Sequence, residues 1–158
     1  MTALSAELGV NRATLFRWVG SRDDLLVEVL WDLADRVLNH ADSQVDASGG
    51  ERVVSVVGRF LRIVLDDPGM QVFLRDEGEL AMRLLTRADR GFQPRLVARV
   101  QALLEQEVAA GSLTVEAPVA EVAFVVVRLI ETYTYLPLLT GEAPQAERAL
   151  PILRMLLR

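Results

Sequence analysis

Residues 4–22 constrain the fold more than any other stretch. Leu4 and Leu8 are four apart, so a short helix carries both on one face. Gly9 follows where a helix end calls for left-handed backbone, which glycine adopts without a Cβ penalty. Asn11 is a good N-cap for a second helix, its side-chain oxygen accepting from amides just downstream. That helix turns Leu15 inward and leaves Arg12, Ala13 and Arg17 within reach of outward faces. No acid falls between Glu7 and Asp23, whereas Arg12, Arg17 and Arg22 do. A helix–turn–helix whose second helix is locally basic has the form of a major-groove DNA reader. The plainer account is a small helical pair with a solvated basic face, since glycine turns between helices are widespread.

The chain beyond reads as helix after helix. Ser21 and Asp24 make a capping box for a long helix, and Asp23 and Asp24 favour its positive start. Leu25, Leu26, Val29, Leu30, Leu33, Val37 and Leu38 recur at helical spacing, which predicts an amphipathic helix to about Asn39. Ala47 to Gly50 reads as a loop. Further helices are predicted over Glu51 to Asp66, Met70 to Arg75, Glu77 to Ala88 and Gln93 to Ala110, with Pro68-Gly69 and Gly91 as breaks. Pro118 opens the most apolar run, to Leu139. Glu121, Arg128 and Glu131 interrupt it and oppose a membrane span. A helix apolar nearly all round is buried on several sides, as between its own core and a second subunit. A last helix is predicted from Gln145 to Leu157, which Pro151 either kinks or starts later. No strand pattern is present. The expected fold is all-α: an incomplete helix–turn–helix head with its connecting helix over residues 1–40, then an antiparallel helical ligand-binding and dimerisation body over 41–158.

Composition narrows the function. The net charge of the 158 residues is −5, so any DNA contact must come from a local basic patch. A hydrophobic fraction of 51% exceeds what one small core needs and points to a helix face buried against a second subunit. There is no Cys and only one His, and no Gly-rich phosphate loop, so no enzyme, metal site or cofactor is expected. No signal-peptide core opens the chain, which together with the lack of Cys fits a reducing cytoplasm.

With these elements in place, the chain resembles the TetR family of one-component transcriptional regulators. The resemblance is carried by Leu4-Ser5, by Gly9-Val10-Asn11-Arg12-Ala13-Thr14-Leu15-Phe16 and by Gly20-Ser21-Arg22-Asp23-Asp24-Leu25-Leu26. In the body, Phe73-Leu74-Arg75-Asp76-Glu77, Ala81-Met82-Arg83-Leu84-Leu85-Thr86, Arg128-Leu129-Ile130-Glu131-Thr132-Tyr133-Thr134-Tyr135 and Thr140-Gly141-Glu142 look like the branch named for a regulator of quorum-signal degradation. Phe16 stands where the family usually has Tyr, and a phenyl ring cannot donate to a phosphate. Ser5 replaces a common Ala, and Val19 a frequent Phe. The helix that normally braces the other two from upstream does not stand before Leu4 in this sequence, so the expectation is either a natural start earlier than Met1, a lost N-terminal part or a defective head.

The resemblance implies a ligand-responsive repressor that binds a palindromic double-stranded DNA operator as a homodimer. It pairs the helices at about 118–139 and 145–157, and it answers to a small apolar or amphipathic effector, a lactone-type signal or another small organic molecule. The alternative is a ligand-binding dimer whose truncated head does not bind DNA on its own. By resemblance Asn11, Arg12, Ala13, Thr14, Phe16 and Arg17 belong to the DNA-reading helix, and Arg22 steadies a phosphate. Trp18 is expected to pack between helices, and His40 to face solvent at a helix end. Phe60, Phe73, Met82, Phe92, Arg128, Glu131 and Tyr135 are candidate cavity residues. Arg128 and Glu131, three apart in the most apolar helix, form either a structural pair, with each other or with Arg75, Asp76 or Glu77, or a polar anchor in a ligand cavity.

Overall fold

The computed structural model describes residues 1–158 as ten α-helices and two short 3-10 turns, with no strand. The head comprises α1 (Thr2–Glu7) and α2 (Arg12–Val19), joined by a turn in which Gly9 has φ +64°. Asn11 Oδ1 accepts from the Ala13 amide at 2.8 Å and caps α2. Helix α3 (Arg22–Ser43) starts on a complete capping box: Ser21 Oγ accepts from the Asp24 amide at 3.1 Å, and Asp24 Oδ2 accepts from the Ser21 amide at 2.8 Å. Both caps are local signals, which is why the sequence discloses them.

The body follows as α4 (Gly49–Asp66), α5 (Pro68–Asp76), α6 (Gly78–Thr86), α7 (Phe92–Ala109), α8 (Val119–Thr134), α9 (Leu136–Thr140) and α10 (Ala149–Leu156). Its centre is α4, whose Val53, Val57 and Leu61 are almost wholly buried. Helix α7 packs along α8, and α3 and α10 lie against α4. The single core unites α3 to α8 and α10 but takes in neither Leu136 of α9 nor Leu15 and Ser5, the only buried residues of α1 and α2.

Five boundaries differ from the periodicity: α4 takes in Gly49 and Gly50 of the expected loop, α5 starts on Pro68 because proline fits a first helical turn, and three more follow. Helix α3 runs four residues past Asn39, to Ser43, and His40 is exposed within its last turn. The apolar run to Leu139 is two helices, because Pro137 has no amide to continue the ladder and ends α8 before Tyr135. The last helix begins at Ala149 after a 3-10 turn over Ala146–Arg148, so Pro151 falls in its first turn, where a missing amide costs nothing.

A buried polar cluster fixes the end of the body remote from the head. Glu107 Oε2 accepts from the Gly49 amide at 2.6 Å and from Ser112 Oγ at 2.7 Å. Its Oε1 accepts from Arg52 Nη1 at 2.5 Å, while Arg52 Nη2 donates to Asp42 Oδ1 at 2.8 Å. No helix is long and apolar enough to cross a membrane.

Candidate DNA-reading head and effector cavity

Asn11, Arg12, Ala13, Phe16 and Arg17 are exposed on α2, Arg22 is exposed at the start of α3, and Thr14 is half-buried. None of Arg12, Arg17 and Arg22 enters an ion pair, although eleven of the seventeen arginines do. The Arg12 guanidinium stacks 5.6 Å from the Phe16 ring centre, so the phenyl positions a cation instead of donating a hydrogen bond. Trp18 corrects the expectation of packing: it is 63% exposed, and Leu8 is 54% exposed beside it in the head. Two short helices bury little more than Leu15 between them, so these large side chains find no surface to cover.

Helix α3 ties the head to the body. Asp23, in its first turn, accepts from Arg83 of α6 at 3.0 Å. Further along, Glu28 pairs with Arg95 of α7, and Asp35 and Asn39 both meet Arg99. Trp31 packs edge-to-face on Phe92 with ring centres 5.8 Å apart, and Arg95 lies over its indole.

The opposite flank of α3 forms one wall of a cavity of about 160 Å³. Leu30, Leu33, Ala34 and Val37 line it from α3, Phe60, Ile63 and Val64 from α4, and Phe92 and Leu96 from α7. Leu85, Met70 and Asp67 close one side, and Ile130, Glu131, Thr134 and Tyr135 the other. Thirteen of the sixteen lining residues are hydrophobic, the chemistry of a small-molecule site. Leu33 and Ile63 are exposed at its mouth.

Of the candidate cavity residues, Phe60, Phe92, Glu131 and Tyr135 line this space. Phe73, Met82 and Arg128 do not. Phe73 and Met82 pack half-buried against the core from α5 and α6, while Arg128 points along α8, its guanidinium 4.9 Å from the Phe124 ring centre. The wall contributed by α3 is missing from the sequence-based set, because Leu30, Leu33 and Val37 read as an ordinary amphipathic stripe. The one available hint is that Val29 and Leu33 make that stripe wider than a single packed face needs.

Glu131 is the polar feature of the cavity wall. Its Oε2 meets Arg128 Nη1 at 2.7 Å, whereas its Oε1 is buried without a hydrogen-bond partner. Arg75, by contrast, pairs with its neighbour Asp76, so the partner of Arg128 is within α8. Burial lifts the Glu131 carboxyl from its ordinary 4.5 to about 7, against the opposing pull of Arg128. Burial, and secondarily the Glu131 charge, pushes the Tyr135 phenol up. No His/Cys/Asp/Glu group with the makings of a metal site occurs.

Residues 48–158 match the tetracyclin repressor-like C-terminal domain family. Among solved structures, the R. erythropolis transcriptional repressor QsdR, described as from the TetR family, superposes with a TM-score of 0.90 at 31% identity, covering 99% of this chain and 82% of that one. No curated protein matches the chain. The family match spans most of the body, and the superposition extends the likeness through the head. The chain therefore belongs to the TetR family of non-enzymatic transcriptional regulators, in the branch that QsdR represents.

Proposed function

We propose that the protein is a ligand-responsive repressor that binds a palindromic operator as a homodimer. One observation carries the reading: α3 bears the reading helix at its start and lines the cavity with four residues in its middle. A small apolar or amphipathic effector in the cavity then presses on the same helix that orients the head. Its effect on DNA affinity equals the difference in its affinity for the two head positions. Arg12 and Arg17 read base edges, with Asn11, Ala13 and Thr14 beside them, Phe16 holds Arg12 in place, and Arg22 takes a phosphate.

The dimer is supported by what α8 and α10 leave uncovered. Phe124, Val125, Ile152 and Met155 are all 40% exposed or more, an apolar face of the kind that closes a twofold interface. A Phe124→Asp and Met155→Asp double variant is expected to turn a dimer into a monomer in sedimentation. Selection from random-sequence DNA by the full chain should enrich a palindrome with half-sites about one helical turn apart. No enrichment even at low salt would defeat this reading. It would favour the second one, a ligand-binding dimer whose head does not hold DNA alone, to which the exposed Leu8 and Trp18 lend support.

A further inference from the structure

Two glutamates of the body are buried to nearly the same degree, Glu107 at 5% and Glu131 at 8% exposure. Their surroundings differ. Both carboxylate oxygens of Glu107 are occupied, by the Gly49 amide, Ser112 and Arg52. Glu131 has Arg128 on one oxygen and nothing on the other. A structural glutamate is expected to look like Glu107, because an unmet buried acceptor opposes folding. Glu131 retains that cost in the wall of the apolar cavity between α3 and α8.

The rest of the wall leaves few alternatives for a polar ligand group. Thr134 Oγ1 donates to the Ile130 carbonyl at 2.8 Å. Asp67, exposed at the rim, accepts from the Met70 amide at 2.7 Å. No arginine and no histidine lines the cavity. The free acceptor is Glu131 Oε1, and its charge is already balanced by Arg128. A neutral donor leaves that balance intact. A carboxylate would place a second negative charge beside Glu131, and an ammonium would leave an excess positive charge among apolar side chains.

We infer that the effector is a mostly apolar, uncharged molecule with an N–H or O–H donor that Glu131 accepts, and that carboxylate-headed molecules are rejected. The inference rests on the cavity being the effector site. Its test is calorimetric titration of the full chain with octanamide, octan-1-ol, methyl octanoate, octylammonium and octanoate. The titrations are run at about pH 8.5, where a carboxyl titrating near 7 is ionised. Octanamide and octan-1-ol should bind about tenfold or more tighter than methyl octanoate, which has no donor, with octylammonium below the amide and octanoate weakest. Glu131→Leu should bring amide and ester to within about twofold of each other. Glu131→Gln, which keeps an acceptor and adds a donor, should raise the ester toward the amide, and it carries the test alone if the Leu variant does not fold. Octanoate or octylammonium binding tightest, or a ranking unchanged in both variants, overturns the donor inference and leaves the cavity as a ligand site. Failure of all five compounds to bind overturns the effector-site reading itself.

Discussion

The head and the body use the same cation in opposite ways. In the body, several arginines close ion pairs between helices: Arg52 with Asp42 and Glu107, Arg62 with Glu147, Arg95 with Glu28, Arg99 with Asp35, Arg154 with Glu51. In the head, Arg12, Arg17 and Arg22 meet no carboxylate, and Phe16 props one of them outward. A body paired within itself needs no partner for its charges. Guanidinium groups left open, as Arg12 and Arg17 are on the acid-free α2, are complementary to a polyanion. Three buried side-chain atoms of the body lack a partner, the Nε atoms of Arg90 and Arg128 and Glu131 Oε1, and of these residues only Glu131 lines the apolar cavity. The open guanidinium groups of α2 and the open oxygen of Glu131 are thus the features that set the two candidate sites apart from the paired framework around them.

The sharpest way to break the comparison is to break a framework pair. Arg52 is half-buried and meets two acids, so Arg52→Ala leaves the buried Glu107 without its counter-ion, with only the Gly49 amide and Ser112 to meet its charge. Removing one partner of a buried pair typically costs about 3–5 kcal/mol, and a loss of roughly 3 kcal/mol is expected in denaturant unfolding. If the variant loses less than a surface ion pair is worth, the body arginines are not the framework they look like. By contrast, Arg12→Ala and Arg17→Ala should leave unfolding unchanged. Each should weaken operator binding by about 1–3 kcal/mol with relaxed base preference, whereas Arg22→Ala should weaken all sequences alike and lower the salt dependence.

Glu131 sharpens the comparison through pH. Its native pKa of about 7 lies above its ordinary 4.5, so between these values the folded state holds a proton that the unfolded state has lost. Stability contributed by this group is therefore full below about 4.5 and falls as pH rises to 7, by roughly 3 kcal/mol at most. The groups facing it are Arg128, which opposes the shift, and the un-ionised Tyr135; Asp67 lies at the rim of the same cavity. Glu28 and Glu51 shift the other way, held below the usual carboxylate range by Arg95 and Arg154, and their contribution is lost only as pH falls below that range. Unfolding midpoints across pH 4.5–7 should decline for the parent chain and stay level for Glu131→Gln, with the loss at lower pH common to both.

How much of this was legible in the sequence follows the range of each interaction. Gly9, Asn11 and the Ser21–Asp24 box act within four residues, so their identities alone locate the helix starts. The all-α body follows from spacing for the same reason. The cavity does not, because it is the gap left where six helices diverge. Whether Phe60 or Phe73 faces that gap depends on helix rotation, which an apolar stripe does not fix. Glu131 was visible as a charge in an apolar helix, and its partner Arg128 was within reach at three residues. That one oxygen would remain open depends on what the facing helices fail to supply. Trp18 departs from the expectation because a large apolar residue is usually covered, and α1 and α2 bury only Leu15 and Ser5.

The smallest expected effect concerns the join between the two regions. Asp23 and Arg83 form the ion pair nearest the head, with 24% and 49% of their side chains exposed. A pair so wet contributes at most about 1 kcal/mol to stability, so Arg83→Ala should shift unfolding hardly at all. Its effect should appear in the coupling. The pair holds the first turn of α3 to α6, and α6 also reaches the cavity through Leu85. If effector binding moves the head through α3, releasing that hold changes the relative energy of the two head positions. The ratio of operator affinities with and without a bound octanamide should then change by up to about fivefold, the equivalent of about 1 kcal/mol. Arg62→Ala removes another exposed pair, with Glu147, which joins α4 to the 3-10 turn before α10 without involving α3, and should leave the ratio untouched. Equal ratios in both variants would show that the head answers to the cavity by a route that does not pass through the Asp23–Arg83 contact.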